Sequence, residues 1–278
     1  MLFETEQEVL AWYEKEERVL TPKFISEIPW HEISQHPLNP EFIPTLLYMR
    51  DVEKFTEIYY QELLQTPTVK DPAVRQFIDR WSMEEPVHGE LLNRFLNEAG
   101  HSTSDTWYEE AKRKIPKSNF IIRPLSTIIA RTVGKKFAAV HMTWGAIQEF
   151  STLNGYQRLW EQAKHPVLEY ILRAIAREEA RHSFFYWSVA RIKLLKSNFR
   201  QALTRFLVKK FWTPVGQGLK RASETNQVIR ALFQGEEGVR FMDQRVNRQL
   251  ESLPGMAGLK IVTERVAHIA LKHTPSSF

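Results

Sequence analysis

With 278 residues, 43 % of them apolar, the chain can bury one large core or two modest ones, and its net charge of +5 is only moderately basic. The absence of cysteine excludes disulfides, thiolate metal sites and cysteine nucleophiles, so any metal must be held by oxygen and imidazole, donors that suit iron or manganese. No apolar run approaches the roughly 18 residues that a spanning helix needs, and the acidic opening from Met1 to Glu8 lacks a basic-then-apolar signal. A cytoplasmic protein without a transmembrane segment is expected.

Residues 4–20 read as a helix, with Leu10, Trp12, Tyr13 and Val19 set among charges, and residues 21–40, with four prolines, as an irregular lead-in. Over residues 41–64, Ile43, Leu46, Leu47, Phe55, Tyr60 and Leu64 recur near the helical period and predict the first long helix. Glu53 and Glu57 lie one turn apart on it. Glu53 is favoured as the functional carboxylate and Glu57 as a supporting or surface group, although spacing alone does not decide between them. Asp71-Pro72 predicts an N-cap and first turn, and Gly100 predicts the stop of the second helix. That helix carries Glu84-Glu85-Pro86-Val87-His88-Gly89, in which Pro86 removes a backbone donor and is expected to bend the helix or free the Ser82 carbonyl.

Residues 101–125 are polar, basic and broken by Pro116 and Pro124, and read as a crossover. A third helix is predicted from about Ser126, interrupted near Gly134, through Glu149 to about Lys164. His165-Pro166 marks a turn into the fourth helix, which runs to Lys196 and carries Glu178-Glu179-Ala180-Arg181-His182. Residues 199–212, 223–252 and 255–272 predict further helices, and no strand is needed.

The two motifs repeat one pattern. In Glu85/His88 and in Glu179/His182 a carboxylate and an imidazole are three residues apart, on one helix face and within reach of one ion. A lone glutamate precedes each pair on the preceding helix: Glu53 lies 32 positions before Glu85, and Glu149 lies 30 before Glu179. Single pairs of this kind occur on solvated helices; their duplication in order and spacing favours a site for two metal ions. Four helices supplying Glu53, Glu85, His88, Glu149, Glu179 and His182 predict an all-α, ferritin-like four-helix bundle. The expected organisation is a single domain, with the bundle over about residues 41–196 and a basic helical extension over about 199–278.

These residues resemble the soluble acyl-acyl-carrier-protein desaturases, whose motifs usually read Glu-Glu-Asn-Arg-His-Gly and Asp-Glu-Lys-Arg-His. The likeness continues through Leu91-Leu92-Asn93 and Gln148-Glu149 with Thr152, and covers roughly residues 41–215. It implies two iron ions, or a manganese-iron pair, with Glu53 and Glu149 as terminal ligands, Glu85 and Glu179 as bridges, and His88 and His182 completing the two spheres. It further implies a proton-delivery pair of Thr152 and Glu178, a homodimer, a ferredoxin-like electron donor and an acidic acyl carrier protein as partners. Pro86-Val87 replaces the family's polar pair, which removes hydrogen bonds from that turn, and Glu178 stands where an aspartate is usual.

The acidic partner also accords with the charge distribution, because residues 111–148 and 180–223 contain no Asp or Glu. Nucleic acid ranks below the carrier, since no nucleic-acid motif accompanies the charge; residues 199–210 alternate apolar and basic residues and also suit an anionic membrane surface. Trp81, Trp144, Phe150, Phe184, Phe185 and Trp187 flank the predicted ligands and read either as core or as the lining of an acyl channel. The expected reaction is O₂-dependent desaturation of a carrier-bound fatty acyl chain. Its alternatives are hydroxylation or N-oxygenation of another substrate, and non-enzymatic ferritin-like iron binding.

Overall fold

The structure is a computed structural model that describes residues 2–272, with side chains throughout except at 120–126, so the Pro124 side chain and residues 273–278 lie outside it. The elements before the bundle are α1 (Glu6–Lys15) and α2 (Pro22–Glu27), followed by short 3-10 turns. The expected lead-in is therefore partly helical, with Thr21 capping α2. The first long helix is divided into α3 (Ile43–Lys54) and α4 (Thr56–Leu63). At the break the Thr56 hydroxyl donates to the Glu53 carbonyl at 2.6 Å and occupies an acceptor that a continuous ladder would give to a backbone N–H.

Helix α5 (Pro72–Glu98) starts as its sequence dictates, with the Asp71 carboxylate accepting from the N–H groups of Ala73 and Val74 and Pro72 in the first turn. It runs unbroken through Pro86 and stops at Gly100, whose φ of +83° suits glycine. The crossover holds two helices, α6 (Trp107–Arg113) and α7 (Asn119–Val133). Gly134, at φ +65°, separates α7 from α8 (Phe137–Ala163), and His165 caps α9 (Pro166–Leu195). The extension comprises α10 (Asn198–Phe211), α11 (Ala222–Phe233), α12 (Gly235–Met242), α13 (Arg248–Glu251) and α14 (Ile261–Ala270). The expected helix over 223–252 is thus broken, at Gly235 with φ +72° and by a π-helical turn over Asp243–Asn247.

Helix α8 packs along α9, and α3 along α5, giving two helix pairs whose inner faces meet in one core. Helix α1 lies across α5 and α9, while α11 packs on α3 and α8 and is backed by α12 and α14. The fold is an all-α, ferritin-like bundle with added helices at both ends. Among the described residues there is no strand, only one isolated bridge between Gln217 and Lys220, and no helix is long and apolar enough to cross a membrane.

Candidate metal centre

The fold brings the six predicted ligands together from four helices: Glu53 on α3, Glu85 and His88 on α5, Glu149 on α8, and Glu179 and His182 on α9. One ligand atom from each of Glu53, Glu85, His88 and Glu179 lies within 4.8 Å of the others, and the same holds for Glu85, Glu149, Glu179 and His182. Glu85 and Glu179 are common to both groups, as two bridging carboxylates would be. Glu57 lies elsewhere; it is 44 % exposed and pairs with Lys54 at 3.0 Å. Two glycines permit the close approach. A Cβ on Gly89 would stand 2.9 Å from the Arg50 carbonyl of α3, and one on Gly145 would stand 2.4 Å from the Tyr186 ring of α9.

Four buried carboxylates and two buried imidazoles form a costly interior unless cations or protons compensate them. Burial and then the charges of Glu179, Glu149 and Glu53 push the carboxyl of Glu85 well above the usual range, and burial with the Glu53 charge does the same to Glu179. Burial also raises Glu149. At His88 and His182 burial disfavours the proton, but the surrounding carboxylates outweigh it and raise both to about 9. His88 Nδ1 is 3.0 Å from Glu179 and His182 Nδ1 is 2.8 Å from Glu85, yet neither nitrogen makes a hydrogen bond, and both Glu179 oxygens also lack a partner. Oxygen and nitrogen donors that are close together but not aimed at one another fit ions held between them. The donor set suits iron or manganese.

The far nitrogen of His182 has its own partner. Its Nε2 donates to Glu84 Oε2 at 2.8 Å, which turns Nδ1 toward the carboxylate cluster. Glu84 accepts in turn from the Tyr13 hydroxyl at 2.5 Å and from Arg18 Nε at 2.7 Å. Burial opposes the charge on Glu84, but these donors hold its carboxyl well below the usual range. Nothing in the helical spacing singles out Glu84, although its place directly before Glu85 parallels that of Glu178 before Glu179. A third carboxylate-imidazole group, Glu84, Glu178 and His182, is already neutralised by Arg18 and Arg181 and reads as support for the ring.

The structure does not join the predicted pair Thr152 and Glu178. One Glu178 oxygen accepts from the backbone N–H groups of Val19 and Leu20, and the other accepts from Arg181 at 3.0 Å. Its longer side chain is thus committed to the segment after α1, and among the described residues no hydrogen bond links it to Thr152. Thr152 instead lines an apolar cavity of about 80 Å³. Glu53 reaches the same cavity, whose walls include Tyr48, Met49, Gly155, Leu232, Met242 and Val266. The hydroxyl of Tyr156 donates to Glu53 Oε1 at 2.5 Å, and burial with the Glu53 charge pushes that phenol well above its ordinary range, so it stays a donor.

The flanking aromatics do not line this cavity. Trp81 and Phe185 are buried core, Trp144, Phe150 and Trp187 pack against that core, and Phe184 sits edge-on to Trp12 of α1. The cavity walls come instead from α3, α8 and the extension, whose residues are far from either motif in sequence.

Comparison with curated proteins finds no match. A family model described as fatty acid desaturase matches residues 52–227, a span that begins one residue before Glu53 and contains all six clustered side chains. The match covers more than half of the chain, and the chain belongs to the fatty acid desaturase family.

Proposed function

We propose that the protein is an O₂-dependent di-iron desaturase that introduces a double bond into a fatty acyl chain presented by an acidic carrier protein. Family membership gives the desaturase-type oxidoreductase character. The observation that carries the finer reading is the meeting of a buried four-carboxylate, two-imidazole centre with an apolar cavity at Glu53. Glu53, Glu85, His88, Glu149, Glu179 and His182 would hold the ions, with Glu85 and Glu179 shared. When bound, a reduced iron pair supplies the two electrons for O₂ activation and the oxidising power to remove two hydrogens from adjacent methylenes.

The remaining work falls to the chain's own residues. Glu84 holds the His182 ring in one orientation, and Tyr156 holds Glu53. The apolar walls from α8, α11, α12 and α14 exclude water and take hydrocarbon. Thr152, which lines the same cavity as Glu53, would exchange a proton there. Arg113, Lys114 and Lys117, exposed in and after α6, which packs on α3, suit an acidic carrier. A homodimer and a ferredoxin-like donor complete the proposal.

The test is product mass from iron-loaded protein given a saturated acyl carrier substrate, O₂ and a reductant. Loss of two hydrogens is expected. Gain of one oxygen would establish a hydroxylase, and iron uptake without turnover would leave an iron-binding protein. Gly155→Leu tests the cavity directly. A Cβ there already lies 3.2 Å from Met49 Cε, so the larger side chain fills the space and should shift preference toward shorter chains by about tenfold or more. An unchanged chain-length profile would place the substrate elsewhere.

A further inference from the structure

Helix α10 is apolar on two sides. Leu207 and Val208 are buried in the helix that packs on α8 and α9, whereas Phe199 and Phe206 are 58 % and 61 % exposed. At about 100° per residue, Phe199, Ala202, Phe206, Lys209 and Lys210 fall within an arc of about 100°, and all five are exposed. Leu195 adds exposed apolar surface at the end of α9. Lys136, in the turn before α8, places its Nζ 4.4 Å from the Phe199 ring centre, and Lys135 beside it is also exposed. Lys193, Lys196 and Lys220 are tied to Glu6, Asp71 or Asp51, but among the described residues Lys135, Lys136, Lys209 and Lys210 pair with no carboxylate.

We propose that this face docks the protein on an anionic phospholipid bilayer, with Phe199 and Phe206 entering the boundary between headgroups and acyl chains and the four lysines meeting headgroup phosphates. Charge selects the occupant. A second copy joined by two-fold pairing would set the lysines of one face against the same lysines of the other. An acidic protein would satisfy the lysines but must also supply recesses for two protruding rings. An anionic bilayer meets both requirements at once. Helix α10 runs directly into Trp212, Pro214 and Val215, which wall the apolar cavity, so the docking face adjoins that wall along the chain. The inference stands on α10 and does not depend on the proposed reaction.

Flotation of the full-length, iron-loaded protein with vesicles tests it. The protein is expected to float with equimolar phosphatidylcholine and phosphatidylglycerol, to stay behind with phosphatidylcholine alone, and to be released by salt. Lys209→Gln with Lys210→Gln should weaken partition about 30-fold, and Phe199→Ser with Phe206→Ser by about tenfold or more. Iron content and helical circular dichroism report whether each variant has folded. Absence of binding to the anionic vesicles overturns the proposal, as does binding that both folded variants retain. A dimer that Phe199→Ser with Phe206→Ser converts to monomers in light scattering would assign the face to a second copy instead. Protection of these lysines from acylation by an acidic carrier protein, without vesicle binding, would assign it to that protein.

Discussion

The two halves of the buried centre are alike in sequence and unlike in their surroundings. Each supplies a glutamate from one helix and a Glu-x-x-His pair from the next. Yet the far nitrogen of His182 is held by Glu84, itself held by Tyr13 and Arg18, whereas His88 Nε2 is buried with no hydrogen-bond partner. Conversely, Glu53 takes the Tyr156 hydroxyl and borders the cavity, whereas Glu149 does neither. Duplication gives two equivalent sets of three side chains; the elements laid over them, α1 on one side and α11 to α14 on another, brace one half and leave the other facing a cavity.

The sharpest way to break the likeness is to remove a side chain that both halves share. Glu179→Ala takes a carboxylate from both groups of close ligand atoms and is expected to abolish binding of both ions, and with it turnover, as read by bound iron per chain. Glu149→Ala, which touches one group, should leave one ion bound. Equal losses in the two variants would mean that the carboxylates do not divide between two ions.

Next in size is the brace. Glu84→Gln keeps the shape but loses the charge that orients His182, and should lower affinity at one of two ions by about 10- to 100-fold. Iron titration should then resolve two phases where the unaltered protein gives closer ones. A uniform loss at both ions would show that Glu84 acts on the whole fold.

The clustering of Glu53, Glu85, His88, Glu149, Glu179 and His182 was legible in the sequence because metal coordination would demand fixed residue types at helical spacing, which these six satisfy. The helix stop at Gly100, the break at Gly134, the cap at Asp71 and the turn at His165-Pro166 were legible for the same local reason. Tyr13, Arg18 and Tyr156 were not, because each meets its partner through tertiary packing across 66 to 103 residues of chain. Nor was the cavity, whose walls join α3 to helices near the C-terminal end. The break at Phe55 was hidden by a strong apolar period, which a single Thr56 hydroxyl overrides.

Metal affinity and metal-free stability should respond to pH in opposite directions. A metal needs neutral imidazole, so metal affinity should climb as pH rises toward about 9, where His88 and His182 of the metal-free protein give up their protons. The metal-free protein should do the reverse. Its raised histidines contribute stability that is fully present below about 6.5 and lost as pH passes about 9, and the raised Glu85, Glu149 and Glu179 act in the same direction, losing their contribution as pH rises through their own elevated values. Denaturant unfolding with and without iron across this range checks both slopes; parallel slopes would mean that the two rings do not exchange protons for metal.

The smallest expected effect separates the open half from the braced one. Tyr156→Phe removes a hydrogen bond to a buried carboxylate and should cost the metal-free protein about 1.5 kcal/mol, read from its urea midpoint. In the loaded protein a cation already shares the Glu53 charge, so the same substitution should cost less, and metal affinity should change by less than about tenfold. A loss of equal size with and without iron would make the phenol a packing group, whereas a loss that shrinks on loading ties its hydrogen bond to the charge that the metal neutralises.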